Sequence, residues 1–168
     1  MARHADHQDR PAPAVEYPDA PRVAVGAVVF SRGRVLLVRR SNPPAQDQWA
    51  IPGGRVRLGE GLRQAAERET WEETGVLVTA KDPIFTFEVI HRDGRGRVRF
   101  HYLIVDLEAD FKEGRLSPGD DATDAAWISP AELDGLSVSP TTRKLLSEHY
   151  GFGGAQPDSA PTPGPVFG

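Results

Sequence analysis

Three glutamates lie close together on one predicted helix. At about 100° per residue, Glu72 and Glu73 fall within roughly 60° on either side of Glu69. The apolar side chains of the segment project onto the same stripe, whereas a solvated helix places its charges opposite its apolar residues. The stripe is therefore expected to face protein or a cleft, where adjacent carboxylates repel one another strongly.

These carboxylates need a source of positive charge. The helix has no cluster of lysines or histidines, so we expect a bound divalent cation. Oxygen ligands select a hard ion, Mg²⁺ first and Mn²⁺ as its usual substitute. Because Mg²⁺ also recruits phosphate oxygens, a diphosphate or polyphosphate substrate follows. On spacing alone, a surface run of glutamates explains the pattern about equally well, since glutamate is a favoured helix residue.

A glycine-rich loop precedes the helix. Its glycines permit a tight turn whose backbone carbonyls approach a cation, although a plain glycine-rich turn is the alternative. They are Gly53, Gly54, Gly59 and Gly61. Arg68 can reach back to Glu60 and pin the loop to the helix. The alternative is an exposed ion pair contributing about 0–1 kcal/mol.

The surrounding elements follow from periodicity and turn signals. The pattern predicts a hairpin of strands 23–30 and 35–38, and a second hairpin of strands 84–91 and 98–107 around Asp93-Gly94. The glutamates lie on a helix from Leu62 to Thr74, with Gly75 as its C-cap. A short strand over 125–128 precedes two helices that open at Pro130 and Pro140. This order predicts a mixed α/β fold.

Composition excludes several classes of protein. The chain has 168 residues, no cysteine and a formal net charge of −4. Disulfide frameworks, thiolate zinc sites and cysteine nucleophiles are excluded, and a cytoplasmic location is compatible with this composition and expected. The acidic balance disfavours a nucleic-acid partner, and no apolar run approaches membrane-spanning length, so no membrane partner is expected.

The length fits one domain with a tail at each end. Residues 1–22 and 151–168 are rich in proline or glycine and poor in bulky apolar side chains. We therefore expect two flexible tails around a domain over 23–150.

Together, the glutamate helix and its loop resemble the Nudix box. The family pattern is Gly, five residues, Glu, seven residues, Arg-Glu, an aliphatic, any residue, Glu-Glu, any residue, Gly, an aliphatic. It runs here from Gly54 to Val76 with every fixed position matched, and Thr70 stands at one aliphatic position. A pattern with this many fixed positions is highly specific. With it, a mere surface charge run becomes a minor alternative.

The resemblance implies a fold and an activity. The fold is the Nudix α/β/α sandwich, with a mixed β-sheet between helices. The activity is Mg²⁺-dependent hydrolysis of the phosphoanhydride bond of a nucleoside diphosphate linked to another moiety, by a pyrophosphohydrolase. Family members are frequently homodimers, so the resemblance also makes a homodimer one option for this chain.

The resemblance also implies roles, position by position. The metal ligands would be Gly54 through its carbonyl, Glu69, Glu72 and Glu73. Glu69 would be a ligand or the base that orients water, and Arg68 with Glu60 would form the supporting bridge. Some family members take their base from a loop beyond the box. The candidates in that loop are Asp120, Asp121 and Asp124. The alternative interpretation is that they form a solvated acidic turn without a catalytic role.

Substrate identity is less strongly indicated. Arg39, Arg99 and His101 are candidates for binding a nucleotide, although basic strand ends are more often solvated. ADP-ribose is the first substrate to test, even though the proline that often marks ADP-ribose enzymes after the box is missing. The alternatives are hydrolysis of a nucleoside triphosphate, including an oxidised one, a noncatalytic module that senses a nucleotide, and a structural interaction protein.

Overall fold

The computed structural model describes residues 16–43, 45–119 and 121–153. The strands are β1 Arg22–Ser31, β2 Arg34–Arg40, β3 Trp49–Ala50, β4 Gly53–Arg55, β5 Val76–Arg92, β6 Val98–Gly114 and β7 Ala122–Ile128. The helices are α1 Leu62–Thr74, α2 Pro130–Leu133 and α3 Pro140–Tyr150. Within the described ranges, no helix has the length and apolarity needed to cross a membrane.

The strands form one mixed sheet. Its order is β3-β2-β1-β6-β5, with β4 also paired to β1 and β7 to β2. β1 runs parallel to β6, whereas its pairings with β2 and β4 are antiparallel. β5 and β6 are seventeen residues each and form a long antiparallel ribbon.

Helices cover both faces of the sheet. On one face, Ala65 and Ala66 of α1 pack against buried side chains of β1, β5 and β6. On the other face, Leu133 of α2 and Leu145 and Leu146 of α3 pack against β1, β2 and β7. The predicted α/β/α sandwich with a mixed sheet between helices is therefore confirmed.

Helix α1 has the predicted limits. It ends at Gly75, whose φ of 68° is left-handed and whose N–H donates to the Trp71 carbonyl oxygen. Thr70, at the aliphatic position of the motif, is fully buried, and its hydroxyl donates to the Ala66 carbonyl oxygen at 2.7 Å. A polar residue is tolerated there because its hydroxyl is satisfied within the helix.

Several strands differ from the sequence expectation. β5 starts at Val76, directly after the helix, rather than at residue 84, and β6 continues to Gly114 rather than ending at 107. The segments Trp49–Ala50 and Gly53–Arg55, expected to be loop and turn, are short strands. They owe this structure to pairing with β2 and β1, which local patterns do not reveal.

Parts of the expected tails contact the fold. The Tyr17 N–H donates to the Arg99 carbonyl oxygen at 2.9 Å, and Phe152 is buried against Phe30 with ring centroids 5.3 Å apart. The expectation of flexible tails over 1–15 and 154–168 lies outside the described residues.

Truncating Phe152 is expected to destabilise the protein. Phe152→Ala removes a buried ring from the core beneath α3, so the free energy of unfolding should fall by about 3–5 kcal/mol. Denaturant unfolding followed by circular dichroism measures this loss. Leu103→Ala, at a side chain that is 37% exposed, should change it by only about 0.5 kcal/mol. Equal losses in the two variants would contradict the packing of Phe152.

Candidate active site

A cleft of about 1190 Å³ opens where β4, α1, the β5–β6 ribbon and the start of α3 meet. One wall is acidic and belongs to α1 and β4. It includes Glu69, Glu72, Glu73, Gly53 and Gly54. The other wall is formed largely by apolar and aromatic side chains of β5 and β6. The cleft therefore joins a charged region to an apolar one.

Arg68 organises the acidic wall from behind. Its Nε and Nη2 donate to the two carboxylate oxygens of Glu60 at 2.6 and 2.8 Å, which fixes the loop against α1. Its Nη1 donates to Glu69 at 2.6 Å and to Glu72 at 2.9 Å. Its Nη2 also donates to the Arg55 carbonyl oxygen at 3.1 Å. One largely buried guanidinium thus holds three carboxylates.

Arginines supply positive charge that the sequence argument did not count. The expectation of a cation as the source of all the neutralising charge rested on the lysines and histidines of the helix alone. Besides Arg68, Arg57 lies 3.3 Å from Glu72 and Arg40 lies 3.0 Å from Glu73. The repulsion within the glutamate cluster is therefore reduced by the protein itself.

Glu73 is the most buried of the three glutamates. It is 2% exposed, and its carboxylate accepts hydrogen bonds from the Gly53 N–H at 2.9 Å and from Arg40 at 3.0 Å. Burial raises the pKa of Glu73 to about 7, and Arg40 opposes that rise. Burial also raises the pKa of Glu69, while Arg68 opposes the rise.

The residues present suit a hard divalent cation by their chemistry. Glu69, Glu72 and Glu73 bring carboxylate oxygens to one wall of the cleft, and oxygen ligands suit a hard ion. A Cβ at Gly54 would overlap the Glu69 carboxylate, so a side chain at position 54 would displace that carboxylate from its present place against the backbone. In the described ranges, however, no three acidic or histidine side chains are arranged to hold a metal ion. Several of these oxygens are instead turned toward arginines.

The predicted site residues are only partly brought together. Gly54, Glu69, Glu72 and Glu73 line the cleft, and Glu60 and Arg68 support them from behind. The acidic loop is divided. Asp121 lines the cleft and accepts from the Asn42 amide at 2.8 Å, Asp124 accepts from the Ala125 N–H, and Asp120 lies outside the described residues.

The expected substrate-binding residues lie elsewhere. Arg39 pairs with Asp47 at 3.4 Å and Arg99 with Glu16 at 2.6 Å. His101 follows Phe100 and precedes Tyr102 on β6, and it is Tyr102 that lines the cleft. Because side chains alternate along a strand, Arg99 and His101 belong to the opposite face.

Two residues of the cleft are not among the candidates predicted from the sequence. Arg40, not Arg39, lines the cleft, since neighbours on β2 point to opposite sides. Asp106 of β6 lines it as well, although it is only 4% exposed. Side chains at alternate positions of β6 share a face, so the face that carries Tyr102 and Ile104 also carries Asp106. Burial alone raises the pKa of Asp106 to about 7.

The Asp106 carboxyl is expected to make stability depend on pH. Its ordinary pKa is 3.8, so between about pH 4 and 7 the folded protein retains a proton that the unfolded chain has lost. This contribution to stability falls as the pH rises through that window. Asp106→Asn lacks this titration, so its stability relative to wild type should rise by about 4 kcal/mol between pH 4 and 8. Urea unfolding of both proteins across this range measures the difference, and a difference that does not change with pH would contradict it.

Comparison with known proteins gives consistent matches. The NUDIX domain family model matches residues 20–148. The chain is 34% identical over 117 residues to the ADP-ribose pyrophosphatase of Methanocaldococcus jannaschii, covering 70% of this chain and 67% of that protein. It is also 34% identical over 134 residues to the nucleoside triphosphatase NudI of Escherichia coli K12, covering 74% and 94%.

Two solved structures match at 25% identity. The NUDIX domain of Shewanella oneidensis NrtR, complexed with ADP ribose, has a TM-score of 0.62 and covers 78% of this chain and 87% of its own. A bifunctional NMN adenylyltransferase/ADP ribose pyrophosphatase from Francisella tularensis, complexed with AMP and a manganese ion, has a TM-score of 0.59 and covers 76% and 40%.

Proposed function

The chain belongs to the Nudix family and is a pyrophosphohydrolase of that family, and from this premise we propose its substrate class. It hydrolyses the phosphoanhydride bond of a nucleoside diphosphate linked to another moiety, and ADP-ribose is the first substrate to test. The observation that carries the proposal is the acidic cleft wall, on which Arg68 holds Glu69 and Glu72 in place beside the buried Glu73. The relative named ADP-ribose pyrophosphatase supports ADP-ribose.

The acidic wall suits a divalent cation, which we propose to be Mg²⁺ with Mn²⁺ as a substitute. The Gly54 carbonyl and the carboxylates of Glu69, Glu72 and Glu73 would hold it. When bound, it would supply positive charge against the diphosphate and favour loss of a proton from water. The manganese ion in the Francisella tularensis relative supports a divalent requirement.

The protein's own groups have separate tasks in the reaction. Water attacks one phosphorus atom, the bridging P–O bond breaks, and two monophosphates leave. Glu69 accepts the proton of the attacking water, and its partly buried carboxyl group has a raised pKa that suits a base. Asp121, which also lines the cleft, is the alternative base.

Two arginines orient the catalytic carboxylate and neutralise negative charge in the cleft. Arg68 fixes the direction of the Glu69 carboxylate, so the base is already oriented before the reaction begins. Arg40 lines the cleft beside Glu73 and is placed to donate to a phosphate oxygen. Glu60 keeps Arg68 in place through two hydrogen bonds.

A nucleoside triphosphate is the second candidate substrate. The match to the nucleoside triphosphatase NudI, which spans 94% of that protein, favours it. The same acidic wall serves either substrate, because both carry a phosphoanhydride.

A substrate panel tests the proposal. Purified protein is incubated with Mg²⁺ or Mn²⁺ and with ADP-ribose, other nucleoside diphosphate derivatives, and ordinary and oxidised nucleoside triphosphates. Products are identified by mass. Release of AMP and ribose 5-phosphate from ADP-ribose supports the leading proposal, whereas release of a monophosphate and pyrophosphate from a triphosphate supports the second. Binding of a nucleotide without any hydrolysis would indicate a sensor and overturn both.

We propose three further properties of the whole protein. It acts in the cytoplasm, as its lack of cysteine allows. It forms a homodimer, which light scattering of the purified chain tests by mass. Residues 23–150 contain the groups that carry the activity, whereas Phe152, outside them, contributes to stability.

A further inference from the structure

Asp106 is a buried carboxyl group without a protein partner. It lies in the middle of β6 and is 4% exposed, and burial is the only influence on its pKa, with no hydrogen bond or ion pair to its side chain from the described part of the chain. Among the described residues, Arg22 Nε is the only fully buried side-chain nitrogen or oxygen atom without a hydrogen-bond partner, so the Asp106 carboxyl oxygens remain open to the cleft. A largely buried polar group costs free energy unless water or a ligand satisfies it, and this carboxyl group is therefore available to a ligand in the cleft.

The carboxyl group faces the cleft rather than the core. Asp106 lines the cleft together with its sheet neighbour Gly26 and with Ile51. A Cβ at Gly26 would overlap both the Asp106 Oδ1 and the Ile51 side chain. Glycine at position 26 is thus what leaves room for the carboxyl group at the base of the cleft.

The surroundings of Asp106 are aromatic and aliphatic. Phe87, Val89, Tyr102 and Ile104 line the cleft from the β5–β6 ribbon, and each is only half-buried. Phe87 pairs with Ile104 and Val89 with Tyr102 across the two strands, so these side chains form one continuous wall. Partly exposed aromatic side chains in a cleft are suited to stack on a planar ring.

The spacing from the acidic wall fits one nucleoside. Gly26 pairs with Gly53 of β4 on one side and with Asp106 on the other. Two strand spacings separate Gly53 from Asp106, about 10 Å. A nucleotide whose phosphates lie at the glutamates can therefore bring the outer edge of its base to the Asp106 carboxyl group.

We propose that Asp106 marks a nucleobase subsite, where its carboxyl group accepts a hydrogen bond from the exocyclic amino group of a purine stacked on the β5–β6 wall. The inference rests on the proposed function for the position of the phosphates. It adds the residue that selects the base. Asp106 is a specificity residue, because it contacts the base and not the phosphoanhydride.

Binding of nucleoside monophosphates in EDTA tests the subsite without hydrolysis. Two purine pairs differ by a single amino group: AMP against purine riboside 5′-monophosphate, and GMP against IMP. NMR titration of labelled protein at pH 8, above the Asp106 pKa of about 7, gives each Kd with the carboxyl group largely ionised. In wild type, at least one amino-bearing nucleotide should bind about tenfold or more tightly than its counterpart, as expected for one hydrogen bond to a charged group. In Asp106→Asn, this ratio should fall several-fold, because the amide keeps one acceptor oxygen but lacks the carboxylate's charge and second acceptor oxygen.

Asp110→Asn is the matched control. Asp110 lies on the same strand, is exposed and pairs with Lys81 outside the cleft. This variant should keep the wild-type ratio. Asp106→Leu removes every acceptor, so the ratio of the two Kd values should fall to about one. The amide spectrum of each variant reports whether it is folded.

The outcomes separate this inference from the proposed function. Absence of nucleotide binding, equal affinity within both pairs, a ratio unchanged in Asp106→Asn, or a ratio that survives Asp106→Leu would overturn the subsite. If the ratio collapses as expected but no substrate is hydrolysed with Mg²⁺, the subsite stands and the proposed hydrolysis fails. If hydrolysis occurs without discrimination between the bases, the proposed hydrolysis stands and the subsite fails.

Discussion

Replacing Arg68 with alanine is expected to reduce both turnover and stability. The change leaves the carboxylates of Glu60, Glu69 and Glu72 without their shared partner in a largely buried place. Turnover should fall by roughly 100-fold or more, because the proposed base and ligands lose their fixed directions. The free energy of unfolding should fall by about 3 kcal/mol or more, as when one member of a buried ion pair is removed. Steady-state kinetics and denaturant unfolding measure the two effects.

A second arginine of α1 provides the control. Arg63 is exposed and pairs with Asp82 on the surface, so Arg63→Ala should leave turnover unchanged and stability within about 1 kcal/mol. Arg68→Lys should recover only part of the loss, since a lysine cannot form the two parallel hydrogen bonds to Glu60. Wild-type kinetics and an unchanged unfolding curve in Arg68→Ala would remove Arg68 from the site.

Replacing Glu73 with glutamine is expected to remove activity while the fold persists. Glutamine keeps the shape and can still accept from the Gly53 N–H, but it removes the negative charge beside Arg40. We expect turnover to fall by roughly two or more decades, because the site loses charge proposed to hold a divalent cation. Stability should change little. Burial already raises the pKa of Glu73 to about 7, so a neutral side chain is tolerated.

Glu67→Gln is the control for this variant. Glu67 lies on the same helix and accepts from the Ala80 N–H at 2.9 Å, away from the cleft, and glutamine can accept the same bond. Its turnover should equal that of wild type. If Glu73→Gln retains full turnover with Mg²⁺ and a native circular dichroism spectrum, the assigned site is wrong.

Local chemistry made much of the fold predictable. The limits of α1 follow from apolar spacing and from Gly75, whose left-handed φ ends the helix. The Asp93-Gly94 signal lies between β5 and β6, as expected. What the sequence could not give is the pairing of β1 with both β4 and β6, because those partners are distant in the chain. That pairing brings Gly53 near the glutamates of α1.

The site was predictable where roles depend on spacing, and not where they depend on which face of a strand meets the cleft. Alternation along β6 correctly separates Tyr102 from His101, but alternation alone does not say which side is the cleft. Arg39 and Arg40 present the same ambiguity on β2. The burial of Asp106 depends on the absence of a side chain at Gly26, which a single sequence does not indicate.

Isotope labelling with H₂¹⁸O tests the central claim most directly. The account predicts that, with Mg²⁺ and ADP-ribose, mass spectrometry finds one ¹⁸O atom in one of the two monophosphate products and none in the other. It also predicts that EDTA or Glu73→Gln abolishes this incorporation. Bound but intact ADP-ribose, or equal incorporation with and without the divalent ion, would contradict an acidic wall that directs water at a phosphoanhydride.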